Sequence, residues 1–313
     1  MSSVFQLLAP MGGAILLGVI AAMSRLFRQE DARVLARFVF NIAMPVGVFT
    51  VAATADAPGK SAGIAALSYL GGLIIAVLAA LIHARIICRH PLHEAGAAIF
   101  AATVGNAIFL GLPIALSIPG WAPTFILLLA GEGIIAYTIA ISFMKIAAES
   151  GGAQLVGTVA RALGQALRSP VILAMLAGTS MLLLGIPLPQ SLQGPLEFFS
   201  PIAAPMGLFV LGLYLVILPQ ESRNIPMRLA AGILPVKLVL FPAATMGLCW
   251  LLGGEAKLIS ITGLFTVMPP AVASIIVSAN FRLLERQIAT IVAIGTLIGL
   301  ITVTTYLAIV LPA

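Results

Sequence analysis

The chain has 313 residues, of which 61% are apolar and only 8% are charged. Soluble domains carry about 25% charged residues, so 16 Lys and Arg with 10 Asp and Glu cannot solvate the surface of a soluble protein of this length. The composition therefore indicates an integral membrane protein embedded in a lipid bilayer. The basic residues are spread over many short loops and form no basic face, which argues against nucleic acid as a partner. Cys88 and Cys249 provide neither a disulfide framework nor a metal-ligand cluster, and no cofactor or metal is expected.

Apolar segments long enough to cross a bilayer, about 20 residues each, follow one another along the whole chain. The first has neither a basic n-region nor a cleavage site, so we expect it to remain as a membrane span. The longest connection, 147–169, is predicted to be a surface helix or linker with Arg161 and Arg168 on its polar side. The ten predicted spans are 4–24, 34–54, 61–84, 95–117, 122–146, 170–187, 195–217, 229–252, 258–279 and 288–311.

The positive charges of the connecting loops predict the orientation of the protein. Thirteen Lys and Arg lie in loops on one side, only Lys60 and Lys257 lie on the other, and Lys237 lies within a span. Because loops rich in Lys and Arg stay in the cytoplasm, the basic side is predicted to be cytoplasmic. Both termini are then extracytoplasmic, and the expected location is the cell (inner or plasma) membrane.

Two octamers indicate an internal repeat. Residues 42–49 read IAMPVGVF and residues 202–209 read IAAPMGLF, with identical residues at five of eight positions. They lie in the second and seventh spans, so the two copies run in opposite directions through the bilayer. This is typical of the inverted repeats of secondary transporters, whose binding site lies near the midplane between the halves. The predicted domains are a first five-helix repeat at 1–146, a cytoplasmic linker at 147–169 and an inverted five-helix repeat at 170–313.

Helix-breaking residues occur at matching places in the fourth and ninth spans. The fourth span reads GNAIFLGLP at 105–113, and the ninth reads VMPPAVAS at 267–274. Pro269 and Pro270 lack backbone N–H groups and free the carbonyls one turn earlier. In lipid, such groups are tolerated only where protein or a water-filled cavity receives them. A proline kink would explain either span alone, but the pair predicts two discontinuous helices that form a binding site.

These motifs resemble the auxin efflux carrier family, which includes plant auxin carriers and bacterial permeases for malonate and malate. The resemblance covers the whole chain, and because each motif is short, the order of the motifs carries it. The matching residues are Asn41 with Pro45 (the family pattern N-x-x-x-P), 105–113 (P-N-x-x-x-x-G-I-P), Lys237 with Pro242 (K-x-x-x-x-P) and the second crossover segment at 268–281.

The resemblance implies an all-α membrane protein of ten helices in two inverted repeats, with broken helices four and nine crossing at the centre. One domain would move against the other in an elevator-type alternating-access mechanism, and the related plant carriers suggest a homodimer. The chain departs from the plant pattern at Gly105 and Ser274, which both replace proline, and it lacks the long cytoplasmic loop. The missing loop and Ser274 favour a small carboxylate over auxin.

The residues of the two breaks are the candidate substrate site. A carboxylate in a region of low dielectric constant needs positive potential, which the free N–H groups at a half-helix N-terminus supply. Asn106 and Ser274 would add side-chain hydrogen bonds, although each could instead bond within the helix packing. Asn41 could contact substrate, but holding the second span against the fourth explains it better. The candidate substrate-binding residues are Asn41, Gly105, Asn106, Gly111, Pro113, Pro269, Pro270 and Ser274.

Two charged residues lie inside predicted spans. Glu132 is the only acid well within a span, where an uncompensated charge costs about 3 kcal/mol. It is the candidate proton-coupling group, or alternatively a neutral acid bonded to a neighbouring helix near Tyr137. Lys237 could attract anions, or alternatively extend its side chain to the cytoplasmic surface.

The sequence predicts a secondary active transporter of small organic anions, such as malonate, malate or an auxin-like carboxylate, coupled to H⁺. The alternative is a sodium-coupled symporter resembling the bile-acid carriers, which would follow Na⁺ rather than pH. An intramembrane enzyme is not expected, because no H-E-x-x-H motif, paired intramembrane acids or Ser–His pair is present. A receptor is disfavoured because the connections leave no room for a signalling domain.

Overall fold

The computed structural model describes residues 2–54, 61–146, 164, 168, 170–217 and 227–311. Regular secondary structure in this part of the chain is helical. The helices, in chain order, are α1 (Ser2–Met23), α2 (Gln29–Thr54), α3 (Ala62–Ile87), α4 (Leu92–Thr103), α5 (Ala107–Ser117), α6 (Ala122–Lys145), α7 (Pro170–Leu183), α8 (Gln190–Ile217), α9 (Met227–Leu251), α10 (Ala256–Val267), α11 (Ala273–Phe281) and α12 (Glu285–Val310).

Several of these helices match the thickness of a bilayer. Within the described residues, α2, α3, α6, α8, α9 and α12 are each long and apolar enough to cross a membrane alone. Large aliphatic side chains such as Leu17 and Ile301 are exposed on the outside of the protein, where lipid rather than water accommodates them. The protein is an all-helical, multi-pass membrane protein.

Most predicted spans coincide with a helix, and the differences have local causes. The predicted spans 95–117 and 258–279 each contain two helices separated by non-helical residues. α7 ends at Leu183 instead of 187, because Gly185 has a left-handed φ of 66° and prolines follow it. α2 and α8 begin about one turn before the predicted spans, because polar residues extend each helix N-terminal to its apolar stretch. The predicted linker 147–169 lies, apart from residues 164 and 168, outside the described residues.

Prolines explain where several helices widen into π-helical turns. A proline lacks an N–H group, and its ring would clash with the carbonyl four residues earlier, so a wider turn before the proline relieves the clash. A further π-helical segment, Glu132–Ala136 in α6, precedes no proline. Such turns are frequent at functional sites. The segments that end two residues before a proline are Val39–Ala43 before Pro45, Ala107–Gly111 before Pro113 and Val236–Leu240 before Pro242.

The helices pack in two groups with α5 between them. In the first group α1 packs on α8, α7 packs on α2, and α2 also contacts α8. The second group is held together by four helix pairs, which are α3 with α9, α4 with α6, α9 with α10, and α11 with α12. The α1–α8 contact is a backbone contact, since a Cβ on Gly18 would lie 2.1 Å from the carbonyl oxygen of Phe209 and 3.0 Å from the Cα of Gly212. α5 contacts both α8 and α6, so the first break lies where the two groups meet.

Candidate functional site

The two helix breaks lie against each other in an antiparallel arrangement. The N–H of Asn106 donates to the carbonyl oxygen of Pro269 at 2.7 Å, and the N–H of Ala271 donates to the carbonyl oxygen of Val104 at 3.1 Å. Gly105 and Pro270 form the β-bridge between these bonds. Four helix ends therefore meet inside the protein: the C-termini of α4 and α10 and the N-termini of α5 and α11. The bonds satisfy some of the backbone groups that helix ends leave unpaired.

The two prolines of the second break fit against glycines of α12. A Cβ on Gly299 would lie 2.5 Å from the Cβ of Pro269, and one on Gly295 would lie 2.7 Å from the Cδ of Pro270. Because both proline rings face α12, they position the second break, and the cavity described below is lined by the residues that follow them.

Glu132 is bonded to the first break. Its side chain is 3% exposed, and its Oε1 accepts a hydrogen bond from the N–H of Gly105 at 2.9 Å. This places the carboxylate close to the N-terminus of α5, where the helix dipole favours negative charge. Tyr137, the partner considered from the sequence, packs its ring on Phe100 with centroids 4.6 Å apart. The hydrogen bond of Glu132 is thus to the backbone of the break.

Lys237 lies on the other side of the same break and is fully buried, with 0% exposure. The alternative in which the Lys237 side chain extends to the cytoplasmic surface is therefore wrong. Its Nζ donates to the carbonyl oxygen of Thr266 at 3.2 Å, near the C-terminus of α10, where the helix dipole favours positive charge. The same Nζ lies 5.0 Å from the ring centroid of Phe241, a cation–π contact that is stronger in a buried site.

Gly105 separates the two buried charges. A Cβ on Gly105 would lie 3.1 Å from the Nζ of Lys237, while its N–H is bonded to Glu132. Because both side chains contact this one glycine, opposite charges on them attract each other through the low-dielectric interior, although the salt bridges found between described residues do not include this pair. Opposite charges thus stabilise opposite helix ends, with one glycine of the break between them.

A cavity of about 1810 Å³ reaches the paired breaks. Gly105, Asn106 and Glu132 lie at its inner end, together with Ala271. Its remaining walls come from α2, α5, α6, α7, α8, α11 and α12, so it lies between the two groups of helices. The charged residues in the walls are four arginines, Arg33, Arg37, Arg282 and Arg286, and two glutamates, Glu132 and Glu285. The excess of arginine gives the cavity a positive potential that concentrates anions.

Four of the residues predicted from the sequence line this cavity. Asn106 is 3% exposed and its carbonyl accepts the N–H groups of Leu110 and Gly111, so it begins α5. Ser274 is buried and its Oγ has no hydrogen-bond partner among the described residues. The lining residues are Asn41, Gly105, Asn106 and Glu132; Gly111, Pro113, Pro269, Pro270, Ser274 and Lys237 are not part of the wall.

Asn41 is exposed, and its side-chain amide donates to the carbonyl oxygen of Arg37 in the same helix at 2.9 Å. The contact between α2 and the first break is made instead by the neighbouring Phe40, whose ring meets that of Phe109 at 5.8 Å. The arginines of α2 in the cavity wall were not singled out from the sequence. Their spacing of four residues, continued by Asn41, was the signal that could have identified them.

Comparisons with known proteins cover almost the whole chain. A family model described as membrane transport protein matches residues 3–307. A protein of Rhizobium meliloti (strain 1021) named "Putative malonate transporter" is 26% identical over 309 residues, which cover 97% of this chain and 95% of that protein. Since the family match extends over almost the whole chain, the resemblance seen in the motifs is confirmed. The chain belongs to the membrane transport family of the auxin efflux carriers, and it is a transporter and not an enzyme.

Proposed function

We propose that the protein is a secondary active transporter of small organic anions, with malonate and malate as the first candidates. The observation that carries the proposal is the convergence of two helix N-termini and Asn106 at the inner end of a cavity rich in arginine. The name of the Rhizobium relative supports the choice of malonate.

The chemistry of the inner end suits a carboxylate. At the start of α11 the N–H groups of Ser274 and Ile275 already donate to the carbonyl oxygens of Ala271 and Val272, so the first N–H groups of α5 are the donors available to a carboxylate. The dipoles of both helices place positive potential there. The side-chain amide of Asn106 can donate a further hydrogen bond to a carboxylate oxygen. These groups bind an anion without the cost of an additional buried cation.

Alternating access would follow from the two groups of helices. In this proposal one group of helices moves as an elevator against the other, as two inverted five-helix repeats would allow. The moving group contains α3, α4, α6 and α9–α12 with α5 attached, and the other group contains α1, α2, α7 and α8. The position of the cavity between the groups supports it. The basic mouth would face the cytoplasm of the cell. Extracytoplasmic termini and a homodimer are further expectations of this proposal.

The coupling ion in this proposal is H⁺, carried by Glu132. Its carboxyl group touches both the first break and the cavity, so protonation would change the charge next to the substrate site. Sodium coupling would need carbonyl groups at unwound helix ends. In this chain the ammonium group of Lys237 already occupies the C-terminal end of α10, which favours H⁺ over Na⁺.

Uptake of radiolabelled malonate and malate into proteoliposomes tests this function. Under an imposed pH gradient, Asn106→Ala is expected to reduce uptake about tenfold or more, since hydrogen bonds to charged groups contribute about 1.5–3 kcal/mol. Asn280→Ala is the matched control, because Asn280 lines the cavity on the far part of α11; it should transport normally. Glu132→Gln is expected to lose accumulation driven by the pH gradient.

Three other results would contradict parts of the proposal. Uptake that requires Na⁺ and is unaffected by Glu132→Gln would assign coupling to a cation site. Equal losses in Asn106→Ala and Asn280→Ala would remove the special role of the paired breaks. If neither acid enters under any gradient, the proposed substrate class is wrong.

A further inference from the structure

A stripe of polar side chains follows one face of α2 along the cavity. Arg33, Arg37 and Asn41 recur every four residues, a spacing that places side chains on the same face of a helix. All three are exposed and all three line the cavity. Val34 (55% exposed) and Ile42 (49% exposed) are also exposed, but they do not line the cavity. The polar stripe therefore forms the cavity side of α2.

The two arginines of this stripe carry like charges and form no salt bridge within the described part of the chain. Arg37 lies eight residues after the start of α2, or about 12 Å along the axis at 1.5 Å per residue. Like charges four residues apart destabilise a helix, and the salt bridges found between described residues include neither arginine. An anion in the cavity would relieve this repulsion.

The stripe faces the first break. The ring of Phe40 contacts that of Phe109 with centroids 5.8 Å apart. Arg37 precedes Phe40 by three residues, just as Asn106 precedes Phe109 by three residues. Arg37 and Asn106 are therefore each one helical turn from the same contact, and both line the same cavity. A short molecule bound at Asn106 lies within reach of a long side chain at position 37.

We propose that Arg37 binds the second carboxylate group of a dicarboxylate whose first carboxylate lies at the paired breaks, and that Arg33 attracts the dianion from the mouth. This inference rests on the proposed function and adds a basis for specificity. Arginine suits this role because its planar guanidinium group donates two parallel hydrogen bonds to one carboxylate. The protein should therefore prefer dicarboxylates to monocarboxylates of the same length.

The test compares uptake of malonate with uptake of propionate, a monocarboxylate of the same carbon number. In wild-type proteoliposomes malonate should be preferred. Arg37→Gln is expected to lower kcat/KM for malonate about tenfold or more, with little change for propionate, because only malonate loses a charge-assisted hydrogen bond. Arg37→Lys, which keeps the charge without the paired donors, should retain part of the preference. Arg89→Gln removes an exposed arginine that is not part of the cavity wall and serves as the matched control.

The outcomes separate this inference from the function on which it rests. Malonate uptake with an unchanged preference in Arg37→Gln would overturn the role of Arg37 alone, as would an equal loss for both acids. A loss seen only in vesicles that contain phosphatidylglycerol would assign Arg37 to lipid headgroups and also overturn it. If wild-type protein transports neither acid, the proposed function fails and this inference fails with it.

Discussion

Replacing Lys237 by methionine is expected to destabilise the protein by about 3 kcal/mol, because removal of one member of a buried charge pair leaves the other uncompensated. The Glu132 carboxylate would remain buried beside Gly105, and the carbonyl group of Thr266 would lose its donor. The double variant Glu132→Gln/Lys237→Met should lose less free energy of unfolding than the sum of the two single variants, since neither charge is then left alone. The free energies of unfolding in detergent form a double-mutant cycle that measures this coupling.

Lys257→Met is the control for this cycle. Lys257 is an exposed lysine at the start of α10, and exposed substitutions usually change stability by about 0.5 kcal/mol or less. Additive losses in the Glu132–Lys237 cycle would show that the two side chains act independently. Their electrostatic interaction across Gly105 would then have no part in holding the breaks together.

The second large effect is expected at the contact of α1 with α8. Gly18→Ala places a methyl group 2.1 Å from the carbonyl oxygen of Phe209, and because that oxygen belongs to the backbone, the helices themselves must separate. Small residues allow such close approach of helices in membranes. We expect a loss of about 3 kcal/mol, the upper end for an overpacked core, and a correspondingly lower unfolding temperature.

Gly13→Ala is a matched control in the same helix. A Cβ at Gly13 has no atom within 4 Å, so this variant should be neutral or slightly more stable, because alanine favours helix over glycine. Equal losses in Gly18→Ala and Gly13→Ala would contradict a tight backbone contact between α1 and α8. The cost would then come from helix α1 itself.

Features that depend on the local chain were predictable from the sequence. The apolar composition determined that the protein lies in a membrane, because too few charged residues are present to solvate it. Gly105 located the first interruption, because glycine is a poor helix former. Pro269 and Pro270 located the second, because loss of a backbone donor acts within one helical turn. The order of the short motifs was enough to identify the family. The signals for the two interruptions lie within a few residues of the structure they predict.

The electrostatic arrangement of the site was decided only by tertiary structure. Gly105 lies 27 residues from Glu132 in the chain, and Lys237 is bonded to Thr266, 29 residues away. Helical spacing places Arg33 and Arg37 on one face, but the neighbouring helices determine that this face lines a cavity. A membrane span predicted from the sequence shows whether a charged residue lies at membrane depth. Which helix end or cavity compensates the charge depends on segments distant in sequence, because the electrostatic energy depends on distances in space.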